Sequence, residues 1–315
     1  MLVDFFLLNE PVFARRLDEA LGEDWRALLD LGIAAILPGD VVRIQALSLF
    51  CFNGVFVFVD SPNQDPNIYF GDDSIGLFTR ITALPGERVL DLCSGSGIQA
   101  LNAARSAAAV DAVEVNPVAR RVLEVNVLLN GRAGKVRAYG GSLFDSLAPD
   151  ARYDLITANP PLVPFPEGVE YPFVGHGGAD GLIVTRKILA GLPVFLTDGG
   201  RAQIIGLSFS DGKTLSIQHT LCALAAELEL DISVTLLAHV DVLGDTGALS
   251  SLVYSAAPVA RYGFDAILER LRKEMTAQHA THLTPYFLLV RRGTGRVSFQ
   301  NLSRGRTFEP WHLAS

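Results

Sequence analysis

The sequence has 315 residues, of which 49% are hydrophobic and 19% are charged, and its formal net charge is −8. These values are typical of a folded globular chain and exclude a disordered or low-complexity protein. Tight binding to a phosphate backbone requires clustered Lys and Arg, so the acidic balance disfavours a nucleic-acid partner.

The sequence also contains no pattern of a membrane segment or a metal centre. No apolar run reaches the length that spans a bilayer, and residues 1–4 lack the basic flank of a signal peptide. The cysteines Cys51, Cys93 and Cys222 are far apart and match neither a disulfide framework nor the spacing of a zinc site. We therefore expect a reduced, cytoplasmic protein with no membrane partner and no metal.

The first 75 residues alternate between helical and strand patterns. Residues 11–21 place apolar side chains at helical spacing, and two β-rich runs flank Asn53-Gly54, which predicts a hairpin. We expect residues 1–75 to form a small α+β accessory domain that recognises the substrate. Residues 76–315 are expected to form the second domain.

A turn-rich connection leads into the second domain, and Ser74 is positioned to cap a helix over residues 75–81. From Gly86 onward, strands and helices alternate, which predicts a doubly wound, Rossmann-like α/β sheet. The predicted strands cover residues 89–92, 109–114, 135–139, 153–158, 201–206 and 232–240. The predicted helices cover residues 98–106, 118–130, 179–192 and 213–227. After a polar connection, we expect a helix over 264–276, a strand over 283–291 and an edge strand over 296–300.

The first chemical motif is the stretch of residues 88–101, which is a strand, a glycine turn around Gly95 and Gly97, and a helix N-terminus. Glycines let a ligand approach the backbone, and the free N–H groups of a first helical turn favour negative charge. The motif therefore predicts a site for the polar part of a nucleotide-like cofactor. With Glu114 after the next strand, it also fits the dinucleotide fingerprint. Asp91 would repel a pyrophosphate but favour a cationic sulfonium amino acid.

The second motif is Asn159-Pro160-Pro161-Leu162, at the end of a later predicted strand. Together, the two motifs resemble the class I S-adenosylmethionine-dependent methyltransferases, in the small methyltransferase domain branch with an Asn-Pro-Pro-Tyr/Phe signature. That branch includes the release-factor glutamine and the ribosomal-RNA guanine methyltransferases. The resemblance covers about residues 70–240. It implies a seven-stranded sheet closed by one antiparallel strand, a position that the predicted strand at 283–291 can fill.

The resemblance implies a cofactor site at the carboxyl ends of the strands, where ligands of open α/β sheets bind. Glu114 would accept hydrogen bonds from the ribose hydroxyls, Ser142 or Asp145 would meet the adenine amino group, and Leu143 would pack on the purine. The complete set of expected cofactor-binding residues is Asp91, Cys93, Gly95, Gly97, Glu114, Ser142, Leu143 and Asp145.

The resemblance also implies how the acceptor is held. The Asn159 side chain and the Pro160 carbonyl would accept hydrogen bonds from a planar –NH2, without a metal or a covalent intermediate. Leu162 replaces the family's aromatic residue, which stacks on a flat acceptor, so a smaller nitrogen becomes a candidate beside a nucleobase or an amide. A glycine-containing loop over residues 163–180 fits a substrate-facing lid. The expected substrate-binding residues are Asp73, Pro161, Leu162, Phe165 and His176.

We therefore expect an enzyme that moves the methyl group of S-adenosylmethionine to a nitrogen of a small metabolite, a peptide or a protein side chain. One alternative is N-methylation of a ribosomal-RNA nucleobase. A second is an NAD-dependent oxidoreductase, which Asp91 disfavours and which has no need of the Asn-Pro-Pro motif. A third is a non-catalytic scaffold that binds the cofactor, which the intact Asn159 disfavours.

Overall fold

The computed structural model describes residues 1–30, 32–61, 63, 65–243 and 246–303. The chain divides into two compact units, Met1–Asn63 and Gln64–Ser315. The boundary expected between residues 75 and 76 falls inside a helix of the second unit, and a substrate-recognition role for the N-terminal part stays a prediction. Within the described ranges, no helix has the length and hydrophobicity that a bilayer crossing requires.

The first unit contains short helices and two small antiparallel sheets. Its elements are α1 (Leu2–Phe6), β1 (Val12–Phe13), α2 (Ala14–Leu21), α3 (Ala27–Asp30), β2 (Ala34–Leu37), β3 (Val41–Ile44), β4 (Leu47–Phe52) and β5 (Val55–Asp60). β1, β3 and β2 form one sheet, and β4 and β5 form the predicted hairpin. The helix expected from residue 11 begins at Ala14 instead, because Val12 and Phe13 pair with β3.

The second unit alternates strands and helices. Its elements are α4 (Asp72–Phe78), β6 (Arg88–Leu92), α5 (Ile98–Ala103), β7 (Ala109–Glu114), α6 (Pro117–Leu129), β8 (Val136–Gly140), β9 (Tyr153–Ala158), α7 (Ile183–Phe195), β10 (Leu196–Ser210), α8 (Gln218–Glu227), β11 (Leu230–Leu236), β12 (Val240–Asp241), α9 (Thr246–Ala256), α10 (Phe264–Ala277), β13 (His282–Arg292) and β14 (Val297–Asn301).

These strands form one sheet in the order β14-β11-β13-β10-β9-β6-β7-β8, with β12 paired to β13. Strands β6 to β10 run parallel to one another, and β13 runs antiparallel between β10 and β11. The predicted doubly wound sheet with one antiparallel strand is therefore confirmed. In the described part of the chain, β14 fills the position of the predicted edge strand, and with β12, which was not predicted, it brings the sheet to nine strands.

Several element boundaries differ from the predictions for local reasons. α7 begins at Ile183 and not at residue 179, because Gly181 has a left-handed φ of 78° that a helix cannot contain. α8 begins at Gln218, after a turn. α4 begins at Asp72, so Ser74 lies in the first turn, where its Oγ accepts a 3.4 Å hydrogen bond from the Gly71 N–H. α9 occupies part of the expected polar connection.

Two hydrophobic clusters stabilise the second unit. One joins the parallel strands to α7 and α8, and its members include Leu90, Ile156 and Leu189. The other packs α9 and α10 against β10, through residues such as Leu271 and Phe209. Each fully buried side chain of this kind contributes about 1.5–3 kcal/mol relative to exposure. Helices α9 and α10 are therefore part of the core of the second unit.

Gly206 of β10 pairs with Tyr286 of β13, and a Cβ at residue 206 would overlap the buried Tyr286 ring. We predict that Gly206→Ala lowers the free energy of unfolding by about 1–3 kcal/mol, as overpacking does in tight cores. The matched control is Gly199→Ala, because a Cβ at that exposed position of the same strand has nothing within 4 Å. Urea denaturation of both variants checks this, and equal midpoints would contradict it.

Asp91 of β6 places a carboxyl group inside the sheet. Its side chain is 0% exposed, and its Oδ1 accepts a 2.7 Å hydrogen bond from the hydroxyl of Thr157 on β9. Its Oδ2 is buried without a hydrogen-bond partner. Burial raises the pKa of Asp91 to about 7, and the hydrogen bond from Thr157 opposes that shift. The folded state therefore favours the protonated form.

This raised pKa predicts a pH dependence of stability. Between the ordinary pKa of 3.8 and about 7, the folded state holds a proton that the unfolded state releases, so stability falls as the pH rises. Asp91→Asn removes this ionisation. We predict that the unfolding free energy of Asp91→Asn minus that of the wild type increases between about pH 5 and about pH 8, by on the order of a few kcal/mol. Thermal denaturation across this range measures the difference, and a difference that does not vary with pH would refute the assignment.

Candidate functional site

A cavity of about 550 Å³ lies at the carboxyl ends of the parallel strands in the second unit. The register that pairs Leu92 of β6 with Val113 of β7 and Ala158 of β9 brings the residues after these strands to one edge of the sheet. The expected site residues on the cavity wall are Cys93, Gly95, Glu114, Ser142, Leu143, Asn159, Pro161 and His176.

The glycine turn follows β6 and forms one side of this cavity. Gly95 has a φ of 52°, and a Cβ built there would have no atom within 4 Å, so its backbone faces open space. Gly97 is needed for a different reason, because a Cβ there would overlap Leu123 of α6. The expectation that Gly97 leaves room for the cofactor is therefore corrected, since its missing side chain lets α5 begin against α6. Burial raises the pKa of the neighbouring Cys93 thiol above its ordinary range.

Glu114, at the end of β7, organises the turn through its carboxylate. Its Oε2 accepts a 2.8 Å hydrogen bond from the Gly95 N–H, and its Oε1 accepts another of 2.8 Å from the Asn116 N–H. The residue lines the cavity and is 7% exposed. A carboxylate oxygen has two lone pairs, so each oxygen retains the capacity to accept from a ligand hydroxyl.

Asn159, directly after β9, forms hydrogen bonds with the first turn of α4. Its Nδ2 lies 3.1 Å from Oδ2 of Asp73 and 3.5 Å from Oγ of Ser74. Its Oδ1 is buried and has no hydrogen-bond partner. Asp73 is only 7% exposed, and burial raises the pKa of its carboxyl, while the hydrogen bond from Asn159 opposes this shift. The amide nitrogen is therefore engaged within the protein, and the amide oxygen is not.

Gln99 of α5 repeats this arrangement and was not predicted as a site residue. Its Nε2 donates a 2.8 Å hydrogen bond to the carbonyl oxygen of Ser74, and its Oε1 is buried without a partner. The residue lines the cavity and is 3% exposed. Residue 99 lies in the helical part of the glycine motif, where its pattern is that of an ordinary helix, so the sequence does not indicate that its side chain lines a site.

The aromatic part of the wall comes from Tyr69, Tyr171 and Phe173, and not from the residue after the Asn-Pro-Pro motif. Leu162 is 6% exposed and lies in the hydrophobic cluster beside β10. Phe165 is buried in the same cluster, with its ring centroid 4.7 Å from that of Tyr171. The structure therefore brings neither Leu162 nor Phe165 to the wall. Tyr171 and Phe173 lie in the predicted lid over residues 163–180, whereas no motif in the sequence predicts Tyr69.

The other expected residues lie near the cavity but not on its wall. Asp91 is enclosed beneath the glycine turn, and Pro160 is buried beside Asn159. Asp145 is exposed, and its N–H donates a 3.0 Å hydrogen bond to the Ser142 carbonyl oxygen, which is a turn contact. Asn67 and Lys187 also line the cavity, without a motif that predicts them. Among the residues that the structure describes, no group of three or more His, Cys, Asp or Glu side chains could hold a metal ion.

Comparison with known proteins gives matches over the central part of the chain. Ribosomal protein uL3 glutamine methyltransferase of Bradyrhizobium diazoefficiens is 43% identical over 149 residues, which are 43% of this chain and 46% of that protein. The protein of the same name from Bordetella pertussis is 40% identical over 124 residues, or 36% and 41% of the two chains. The chain thus spans less than half the length of these curated relatives.

Among solved structures, the chain is similar to Trm5 of Methanocaldococcus jannaschii in complex with adenosine, with 12% identity and a TM-score of 0.49. The match covers 80% of this chain and 59% of the Trm5 chain. Nothing about the function of this chain follows from a similarity at that level. The family model described as the methyltransferase small domain matches residues 73–224. That segment contains the glycine turn, Glu114, Gln99 and the Asn-Pro-Pro motif. The resemblance expected from the two motifs is confirmed, and residues 73–224 belong to the methyltransferase small domain family.

Proposed function

We propose that the protein transfers the methyl group of S-adenosylmethionine to the side-chain amide nitrogen of a glutamine in another protein, ribosomal protein uL3. The observation that carries this proposal is the buried, unpartnered Oδ1 of Asn159, on a residue that lines the same cavity as the glycine turn and Glu114. An amide –NH2 supplies the hydrogen that this oxygen lacks. The names of the two curated relatives support the same acceptor.

Three features of the wall fit S-adenosylmethionine. The open space beside Gly95 admits a ligand close to the backbone. Glu114 retains the capacity to accept hydrogen bonds from ribose hydroxyls, and Ser142 and Leu143, which follow β8 and line the cavity, would contact the adenine. When bound, S-adenosylmethionine supplies an electrophilic methyl group on a sulfonium sulfur.

The chain's own residues would then orient the acceptor. Asn159 Oδ1 would accept a hydrogen bond from the glutamine –NH2 and so fix the plane of the amide. Pro160 and Pro161 restrict the backbone φ angles beside it and add no N–H donors. Orientation of this kind accounts for a large part of the rate gain in reactions between two bound groups. The wall residues form no covalent bond with the substrate in this scheme.

The position of Leu162 removes the main argument against a glutamine acceptor. The sequence suggested that a missing aromatic residue at position 162 favours a smaller or non-planar nitrogen. Leu162 belongs to the core, however, and Tyr69, Tyr171 and Phe173 supply aromatic surface on the cavity wall. Such a wall can contact the methylene groups of a glutamine side chain and exclude water around its amide.

A labelling experiment tests the proposal. The full-length protein is incubated with tritiated S-adenosylmethionine and, in separate reactions, with purified uL3 and with ribosomal RNA. We expect label in uL3, recovered as methylglutamine after complete digestion of the protein. Label in RNA alone would replace the proposal with nucleobase methylation. Binding of NAD without binding of S-adenosylhomocysteine would replace it with an oxidoreductase.

Glu114 provides a prediction for cofactor binding. We predict that Glu114→Gln weakens S-adenosylhomocysteine binding by on the order of 1–3 kcal/mol, because charge-assisted hydrogen bonds become neutral or are lost. Isothermal titration calorimetry measures the dissociation constant. The control is Glu124→Gln on α6, because this exposed carboxylate pairs with Arg120 on the surface and its loss should leave binding unchanged. Equal affinities for both variants would remove Glu114 from the site.

Asn159 provides a prediction for turnover. We predict that Asn159→Ala lowers kcat by roughly 10²–10³-fold, the scale for removal of one preorganised polar contact. The affinity for S-adenosylmethionine should change little, because the side chain is proposed to act on the acceptor. Steady-state kinetics and calorimetry on the same preparation separate the two effects. Wild-type turnover in this variant would place the chemistry elsewhere in the cavity.

A further inference from the structure

The first turn of α4 holds two side-chain amides of the cavity wall, those of Asn159 and Gln99, by their nitrogens. Asn159 donates to Asp73 and reaches Ser74 Oγ, whereas Gln99 donates to the backbone carbonyl of Ser74. The oxygens of both amides are buried without partners. The partners of Asn159 thus include one charged side chain, and the partner of Gln99 is a backbone group.

The chemistry of Asp73 determines the orientation of the Asn159 amide. Burial raises the pKa of the Asp73 carboxyl, but hydrogen bonds from the Asn159 –NH2 and the Tyr69 hydroxyl lower it and so favour the ionised form. An ionised carboxylate only accepts hydrogen bonds, so it pairs with the –NH2 of Asn159 and repels the carbonyl oxygen. Rotation of the amide by half a turn would place two oxygen acceptors about 3.1 Å apart. With the –NH2 held toward α4, only the carbonyl oxygen of Asn159 remains for a ligand.

We propose that Asp73 is a positioning residue that fixes the Asn159 amide with its oxygen free, and that it thereby makes the site select a nitrogen that carries hydrogens. This inference rests on the proposed function. In this arrangement, a glutamine amide is accepted because it donates to the Asn159 oxygen. A glutamate carboxylate is rejected, since it has no hydrogen to donate and adds a second negative charge.

The burial of Asp73 supports a role beyond the helix itself. In the described part of the chain, no Lys or Arg forms an ion pair with Asp73, and an unpaired buried carboxylate is costly. Its neighbour Asp72 lies in the same first turn, is exposed, and can favour the helix dipole equally well. Asp72 is therefore the matched control for a purely structural effect.

An exchange of the two side chains tests the proposal in the full-length protein. Asp73→Asn lets two amides face each other in either orientation, so kcat should fall about 10–100-fold, as when an outer partner that orients a ligand is lost. Asn159→Asp brings two carboxylates together and should fail as well. In the double variant, the amide introduced at position 73 can donate to the carboxylate introduced at position 159, which keeps its other oxygen free. If the two substitutions acted independently, their fold losses of kcat would multiply. We expect the kcat of the double variant to lie about tenfold or more above the value that this multiplication gives.

The controls separate positioning from folding. Asp72→Asn should keep wild-type kcat, and all variants should keep their affinity for S-adenosylhomocysteine. Asp72→Asn, Asp73→Asn and the double variant should keep the wild-type melting temperature, whereas Asn159→Asp alone should lower it, because it brings two buried carboxylates together. A double variant whose loss of kcat equals the product of the two single losses would overturn the proposal. Wild-type turnover in Asp73→Asn would overturn it as well. A loss of turnover in Asp72→Asn equal to that in Asp73→Asn would assign the effect to the helix.

A measurement without turnover separates this inference from the proposed function. In protein labelled with ¹⁵N at asparagine, the side-chain –NH2 signals of Asn159, assigned by their loss in Asn159→Ala, report its hydrogen bonds. We expect them to shift and exchange faster with solvent in Asp73→Asn, and to stay in place in Asp72→Asn. Unchanged signals in Asp73→Asn would refute the positioning role. Shifted signals in a protein that methylates neither uL3 nor RNA would refute only the proposed function.

Discussion

The hydrogen-bonded register between β6 and β9 is the constraint on which the site depends. Leu92 pairs with Ala158, so the glycine turn and Asn159 leave the sheet side by side, although they are far apart in sequence. A sheet register changes only in whole residues, and a slip of one residue would turn each side chain to the opposite face. The distance between the two motifs is therefore set by the backbone ladder between β6 and β9.

The site concentrates unsatisfied polar groups that a stable core would avoid. Among the described residues, four of the buried side-chain atoms without partners belong to Asp73, Asp91, Gln99 and Asn159. Each such atom costs about 1–3 kcal/mol compared with a paired group. The hydrophobic clusters on both faces of the sheet offset this cost. The arrangement is typical of preorganised sites, where the protein fixes dipoles before the ligand arrives.

The sequence predicted the parts of the site that depend on backbone chemistry. Gly95 frees the backbone locally, and the prolines after Asn159 restrict it. Their positions in the sequence therefore indicate a turn and a strand end, even when the residues that they contact in the fold are unknown. The sheet and its antiparallel strand followed from the alternation of patterns. Gln99 and Tyr69 could not be predicted, because the roles of their side chains depend on packing against distant segments. The side chain of Leu162 was expected at the acceptor, but it packs in the hydrophobic cluster with residues of β10, α9 and α10, and such contacts with distant segments are not visible in the sequence.

The position of β13 shows that the segment that matches the family differs from the segment that completes the sheet. The family pattern ends at residue 224, yet β13 lies between β10 and β11 and pairs with β10 from Ala202↔Val290 to Ser210↔His282. A fragment that stopped at the end of the pattern would leave β10 as an open, apolar edge, the kind of edge that promotes aggregation. The segment that matches the family is therefore shorter than the segment that is needed to form the complete sheet. Any truncation or gene fusion that is meant to retain a folded sheet has to extend at least through Arg292.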